Sequence, residues 1–124
     1  MATILIVEDN AANMTLALYV LESAGHRVLT ATDAEEGLAL ARGERPDLIL
    51  MDIQLPGMDG LEATTQLKRD EITRGIPVIA LTALAMKGDE ERILAAGCDG
   101  YIAKPMRYKE LLSTVADHLS ADQV

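Results

Sequence analysis

Thr3-Ile4-Leu5-Ile6-Val7-Glu8-Asp9-Asn10 is a short apolar, largely β-branched run that gives way abruptly to carboxylates and an amide. An apolar run without alternation is how a strand covered on both faces reads, because neither face meets water. Leu48-Ile49-Leu50-Met51 and Pro77-Val78-Ile79-Ala80-Leu81 repeat the pattern, and Gly100-Tyr101-Ile102-Ala103 repeats it more weakly. Arg27 to Ala31 alternates instead, which suits a more exposed strand near a sheet edge. Five strands are expected.

The segments between these runs carry helical spacing. Met14, Leu18 and Leu21 with Ala17 make one apolar face, and Tyr108, Leu111, Val115 and Leu119 make another near the end. Gly25 closes the first helix and Pro46 precedes the third strand. Asp33 and Asp59 each stand three residues before a glutamate, Glu36 and Glu62, in the manner of capping boxes, and Asp9 or Asn10 can cap the first helix. Strands alternating with helices through short loops predict one parallel sheet sandwiched by helices, in a single domain spanning residues 1–124. There is no internal repeat, linker or low-complexity tract.

Composition narrows the function. At 124 residues the chain is large enough to bury a core of its own. Although 49% of residues are hydrophobic, no run approaches the roughly 20 residues that a membrane span needs, and the N-terminus lacks a signal-peptide pattern. A cytoplasmic protein with no membrane partner is expected. The single cysteine, Cys98, cannot form an internal disulfide or a thiolate metal site and is expected to be buried. A net charge of −9 without a basic cluster argues against nucleic acid as a partner.

In an open α/β sheet, ligands bind beyond the carboxyl ends of the strands. Here the loops after those ends begin at Glu8-Asp9-Asn10, Asp52-Ile53-Gln54, Thr82-Ala83-Leu84 and Lys104-Pro105. Glu8, Asp9 and Asp52 would meet if the first and third strands are neighbours. Two unit charges about 4 Å apart cost roughly 4 kcal/mol at an effective dielectric near 20, so three ionised pairs cost on the order of 10 kcal/mol. Either a proton is taken up or a hard divalent cation intervenes, and Mg²⁺ suits a few carboxylates with a phosphate ligand. Lys104 adds a compact positive charge and Thr82 a hydroxyl donor, which fits a phosphoryl-transfer site. Asp52, a carboxylate at the end of an apolar strand, is the natural nucleophile. Taken singly, each of these residues reads as a helix cap or a turn residue. Their placement at the ends of four different strands is what points to chemistry.

The chain resembles a response-regulator receiver domain from Thr3 to about Leu119. The stretches that carry the resemblance are ILIVEDN at 4–10, PDLILMDIQLPGMDGLE at 46–62, IPVIALTA at 76–83 and GCDGYIAKP at 97–105. Within the family, AMKGDEERILAAGCDGYIAKP is most similar to single-domain cell-cycle regulators of the DivK type. The resemblance implies a flavodoxin-like (βα)5 three-layer sandwich whose five-stranded parallel sheet has the order 2-1-3-4-5. It implies phosphorylation of Asp52 by a histidine kinase or histidine phosphotransfer protein, with Mg²⁺ held by Glu8, Asp9, Asp52 and the backbone carbonyl of Gln54. It further implies that Thr82 and Lys104 contact the phosphoryl oxygens, that Thr82 and Tyr101 act as the switch, and that the bond before Pro105 is cis. Glu8 stands where many members carry aspartate, a mild departure. Only about five residues follow the last helix, so output is expected through contact with a downstream protein, with no enzymatic turnover of another substrate.

Rival readings are weaker. An isolated receiver module of a hybrid kinase would carry similar strings. A haloacid-dehalogenase-type phosphotransferase also has a nucleophilic aspartate after a strand, but it needs a second aspartate two residues on, where this chain has Gln54. A flavodoxin-like electron carrier should offer aromatics for the flavin, and the chain has no Trp or Phe. No G-x-G-x-x-G follows the first strand to hold a dinucleotide.

Overall fold

Val7 pairs with Ala31 on one side and with Met51 on the other, so the first apolar run is an interior strand of a parallel sheet. A computed structural model describes residues 2–83 and 87–119. The elements run β1 (Thr3–Val7), α1 (Ala11–Ser23), β2 (Arg27–Ala31), α2 (Ala34–Glu44), β3 (Leu48–Asp52), α3 (Gly60–Arg69), β4 (Val78–Thr82), α4 (Lys87–Ala95), β5 (Gly100–Ala103) and α5 (Tyr108–His118). The sheet order is β2-β1-β3-β4-β5, all parallel. β3 and β4 are buried at every position, as their unbroken apolar runs require, whereas the alternating β2 forms one edge and is half-exposed.

Two apolar layers flank the sheet. Ile4, Ile6, Leu48, Leu50, Ile79, Leu81 and Ile102 face α1 and α5, meeting Ala17, Leu21, Leu111 and Val115. Leu5, Val7, Ile49, Met51, Val78 and Ala80 face the opposite side and meet Ala41, Ala63, Leu67 and Ile93 of α2, α3 and α4. The alternation of β-strand side chains splits each run between the two layers. Cys98 is a free, buried thiol in the second layer.

Local signals place the helix starts. The Asn10 side chain accepts from Asn13 N–H at 2.9 Å, Asp33 from Glu36 N–H at 2.8 Å, and Asp59 from Glu62 N–H at 2.8 Å. The return bond at α2 goes from Thr32 N–H to Glu36 Oε1 at 2.9 Å, one residue before the cap. Gly25, at φ +91°, follows the end of α1 in a conformation that disfavours any side chain.

Two details differ from the sequence reading. Pro77 lies just outside β4, which runs instead from Val78 to Thr82; having no N–H to give, Pro77 contributes only its carbonyl, to Ile49 N–H at 2.9 Å. Tyr108, aligned by spacing with the buried Leu111 and Val115, is exposed. It lies at the very start of α5 and, with Leu16, Tyr19, Val20 and Leu112, lines an apolar groove of about 470 Å³ between α1 and α5. The helix α1 is largely apolar around its circumference, so its outer face lies open while Ala17, Val20 and Leu21 are buried.

Candidate functional site

The parallel register aligns the carboxyl ends of β1, β3 and β4, and the residues just beyond them converge. Ile53 N–H donates to Leu81 O at 3.1 Å and Glu8 N–H to Ala31 O at 3.0 Å, which fixes the first residues of the loops after β3 and β1. As a result Glu8, Asp9 and Asp52 each offer a carboxylate oxygen within 4.8 Å of the others. Glu8 and Asp52 are buried, and Asp9 is exposed at the rim.

Lys104 bridges the inner pair. Its Nζ is 2.9 Å from Asp52 Oδ2 and 3.0 Å from Glu8 Oε1. Its backbone N–H donates to Thr82 O at 2.7 Å, which ties the end of β5 to the end of β4, and the Lys104–Pro105 bond is cis. Thr82 is buried at the same end of the sheet. The second Asp52 oxygen, Oδ1, accepts the Gln54 N–H at 2.9 Å, while the Gln54 side chain lies on an exposed residue. The arrangement thus brings Glu8, Asp9, Asp52, the Gln54 backbone, Thr82 and Lys104 to one end of the sheet. Tyr101 lies one strand farther out, paired with Ala80 and 37% exposed.

Electrostatics follow from burial. Burial, followed by the adjacent Asp52 carboxyl, pushes Glu8 up to about 7, and Lys104 only partly offsets this. Burial raises Asp52 as well, but the Glu8 carboxyl, the Gln54 N–H and Lys104 together outweigh it and bring Asp52 below its ordinary value. Burial lowers Lys104, and the two carboxylates more than reverse that. One cation therefore serves two buried acids, and Asp52 is the one that stays ionised.

The donor set fits a hard cation. Among the described residues neither Glu8 oxygen, both buried, has a hydrogen-bond partner, although the Lys104 ammonium stands 3.0 Å from Oε1. Buried carboxylate oxygens short of donors are costly, and here they lie in a cluster whose candidate ligands are all carboxylate oxygens, a set that suits Mg²⁺ better than zinc or copper.

Residues 4–116 match the family of the response regulator receiver domain. The chain belongs to that family. It is 50% identical over 117 residues to the polar-differentiation response regulator DivK of Brucella anthropi, covering 94% of this chain and 95% of that protein. Among solved structures, the receiver domain of the Pseudomonas aeruginosa sensor histidine kinase PA1611, which holds a magnesium ion in its active-site cleft, superposes with a TM-score of 0.87. It shares 41% identity and covers 94% of this chain and 95% of that one. The Vibrio cholerae chemotaxis protein CheY4 superposes at 0.91 with 30% identity over 96% of this chain and 99% of its own. The protein is accordingly a phosphoacceptor signalling module of the two-component kind, DivK-like in sequence, and the phosphotransferase alternative is not favoured.

Two features of the molecule were not legible in the sequence. Gly60, the first residue of α3, lies directly against the Asp52 backbone, and its only signal was a glycine following the Asp59 cap. Lys68 Nζ joins Ile76 O at 2.8 Å and Asp99 Oδ2 at 3.0 Å at the opposite end of the sheet, an anchor that no motif announces.

Proposed function

We propose that this chain is a stand-alone receiver whose Asp52 accepts a phosphoryl group from a phosphohistidine on a histidine kinase or histidine phosphotransfer protein, changing its affinity for a downstream protein. The observation that carries this reading is the buried Glu8–Asp52 pair shared by Lys104, with Asp9 at the rim. The stand-alone part rests on the match to 95% of the length of DivK.

An Asp52 carboxylate oxygen attacks phosphorus as the P–N bond to the donor imidazole breaks; the electron pair of that bond stays on the nitrogen, and the imidazole leaves neutral with the proton that its other ring nitrogen already carries. Asp52, kept ionised by Lys104 and by the Gln54 N–H, is ready as nucleophile without a separate base. Lys104 then turns its charge toward the phosphoryl oxygens, and Thr82 donates its hydroxyl to one of them. Glu8, Asp9, Asp52 and the Gln54 carbonyl are the residues that would hold Mg²⁺. When bound, the ion supplies neutralisation of the phosphoryl charge. The chain promotes only its own phosphorylation and dephosphorylation. Among the described residues no helix is long and apolar enough to cross a membrane, and a phosphohistidine donor together with an unpaired buried thiol fits the cytoplasm.

Incubation with acetyl phosphate and Mg²⁺, followed by intact-mass analysis, tests this reading. One added phosphoryl group on the wild type and none on Asp52→Asn is expected. Equal labelling of the variant would place the acceptor elsewhere.

A further inference from the structure

We infer that Gly60 is a positioning residue for the reaction at Asp52, setting the depth at which the phosphoacceptor stands in the site. The inference rests on the reading of Asp52 as the phosphoacceptor. A Cβ built on Gly60 would lie 2.1 Å from Asp52 O, 2.7 Å from Ile53 Cα and 2.8 Å from Asp52 C, where real Cβ atoms essentially never come under 3.0 Å. Gly60 does not adopt a positive φ, so its backbone torsion is open to any residue. Space alone demands glycine.

The contact is with backbone that has little freedom to give. Asp52 is held in the sheet opposite Leu81, and Ile53 N–H donates to Leu81 O at 3.1 Å. From the other side, Gly60 N–H donates to Ile53 O at 3.2 Å, and the buried Thr64 hydroxyl donates to Gly60 O at 2.8 Å. The first turn of α3 is therefore pinned to the end of β3 at van der Waals limit, and the loop it closes carries the Gln54 N–H that holds Asp52 Oδ1. A methyl group at position 60 must push α3 away or turn the Asp52 peptide. Either response shifts the carboxylate relative to Glu8, Asp9 and Lys104. A displacement of about 1 Å in a reacting group can cost on the order of 100-fold in rate.

Two other glycines bound the argument. A Cβ on Gly37 would meet Val7 Cγ2 at 2.7 Å, a side chain that can adjust, and one on Gly43 would meet nothing within 4 Å. Gly43, near the end of α2, is therefore the matched control.

The experiment compares wild type, Gly60→Ala and Gly43→Ala under conditions where thermal melts show each fully folded. Acetyl phosphate labelling is followed as a function of Mg²⁺, so that the rate at saturating Mg²⁺ is separated from the apparent Mg²⁺ constant. Amide spectra record the Mg²⁺-induced shifts of Ile53 and Gln54. Expected for Gly60→Ala is at least a tenfold slower saturated rate with altered Ile53 and Gln54 shifts, against less than twofold for Gly43→Ala. A folded Gly60→Ala with the wild-type rate and wild-type shifts overturns the inference. If that variant does not fold, Thr64→Val, which removes the bond to Gly60 O at nearly constant volume, carries the test. A severalfold slower saturated rate supports the inference, and wild-type behaviour overturns it. Absence of labelling in wild type would instead sink the phosphoacceptor reading, and Gly60 would then be judged on the amide shifts alone.

Discussion

Lys104 reaches Asp52 across 52 residues of sequence, Nζ to Oδ2 at 2.9 Å, and the same ammonium is 3.0 Å from Glu8 Oε1. Replacing it with methionine keeps the aliphatic stem but leaves two buried carboxylates facing one another without a cation. Breaking a buried ion pair by removing one partner costs roughly 3–5 kcal/mol. Lys104→Met is expected to lower stability by about 3 kcal/mol in EDTA, and Mg²⁺ should restore part of that. Urea unfolding with and without Mg²⁺ measures both effects, and an undiminished midpoint in EDTA would show that Lys104 does not neutralise the pair.

Glu8 gives the pH dependence. Its carboxyl, near 4.5 when unfolded, stands at about 7 in the fold because of burial and the nearby Asp52. The contribution of a raised acid is fully present below the unfolded value and is lost as pH rises through the folded one, so the metal-free protein loses this part of its stability between about pH 4.5 and 7. Asp52, lowered in the fold, acts in the opposite direction, its contribution being lost only in acid. A cation that takes the place of the Glu8 proton must bind more tightly as that proton leaves. The apparent Mg²⁺ affinity is expected to rise by up to about tenfold per pH unit below 7 and to level off above it. Calorimetry in buffers of different ionisation enthalpy should find close to one proton released per Mg²⁺ at pH 6. A flat affinity from pH 6 to 8 would remove Glu8 from the site.

Glu8→Gln separates charge from shape. The amide fills the same buried space without repelling Asp52, so the metal-free variant should be more stable than wild type at pH 8 by roughly 1–3 kcal/mol. It should also bind Mg²⁺ more weakly and lose the pH dependence. Melts in EDTA at pH 6 and pH 8 test this, and a variant less stable than wild type at both would mean that Glu8 is held by hydrogen bonds after all.

The sequence carried the sheet because parallel strands covered on both faces leave an unmistakable record: Ile4 and Leu5 point to opposite layers, and both are fully buried. It carried the site for a related reason, since ligands collect at strand ends and four of the five strand ends are visible as the point where an apolar run meets Glu8, Asp52, Thr82 or Lys104. What it could not carry depends on distances between elements. Nothing in the spelling of residues 52–60 says that α3 touches the Asp52 carbonyl, and nothing around Glu8 says that its two oxygens lack a donor. Tyr108 has the right spacing for burial, yet it begins its helix and stays exposed on the groove between α1 and α5. Residues 84–86, which follow the Thr82 end of β4, lie outside the described residues.

Output should run from Asp52 through Thr82 to Tyr101. Thr82 is buried at the end of β4, its carbonyl receives the Lys104 N–H, and Lys104 already holds Asp52, so a phosphoryl group on Asp52 alters charge within reach of both. The added negative charge and acceptor oxygens favour an inward Thr82 hydroxyl and draw the exposed Ala83 with it. Tyr101 stands opposite Ala80 on the neighbouring strand. In the unphosphorylated protein the Glu90 carboxylate, on α4, raises the Tyr101 phenol above its ordinary range. A ring that turns inward leaves Glu90 and gives up solvent contact. Each 1.4 kcal/mol between two arrangements is about tenfold in population, so one hydrogen bond and one repacked ring suffice to move the balance. Beryllofluoride, standing in for the phosphoryl group, should shift amide signals across α4, β5 and α5 together with the Tyr101 ring signals, and Thr82→Ala should block both. Shifts confined to the loops after β1, β3, β4 and β5, with Tyr101 unchanged, would sink this route.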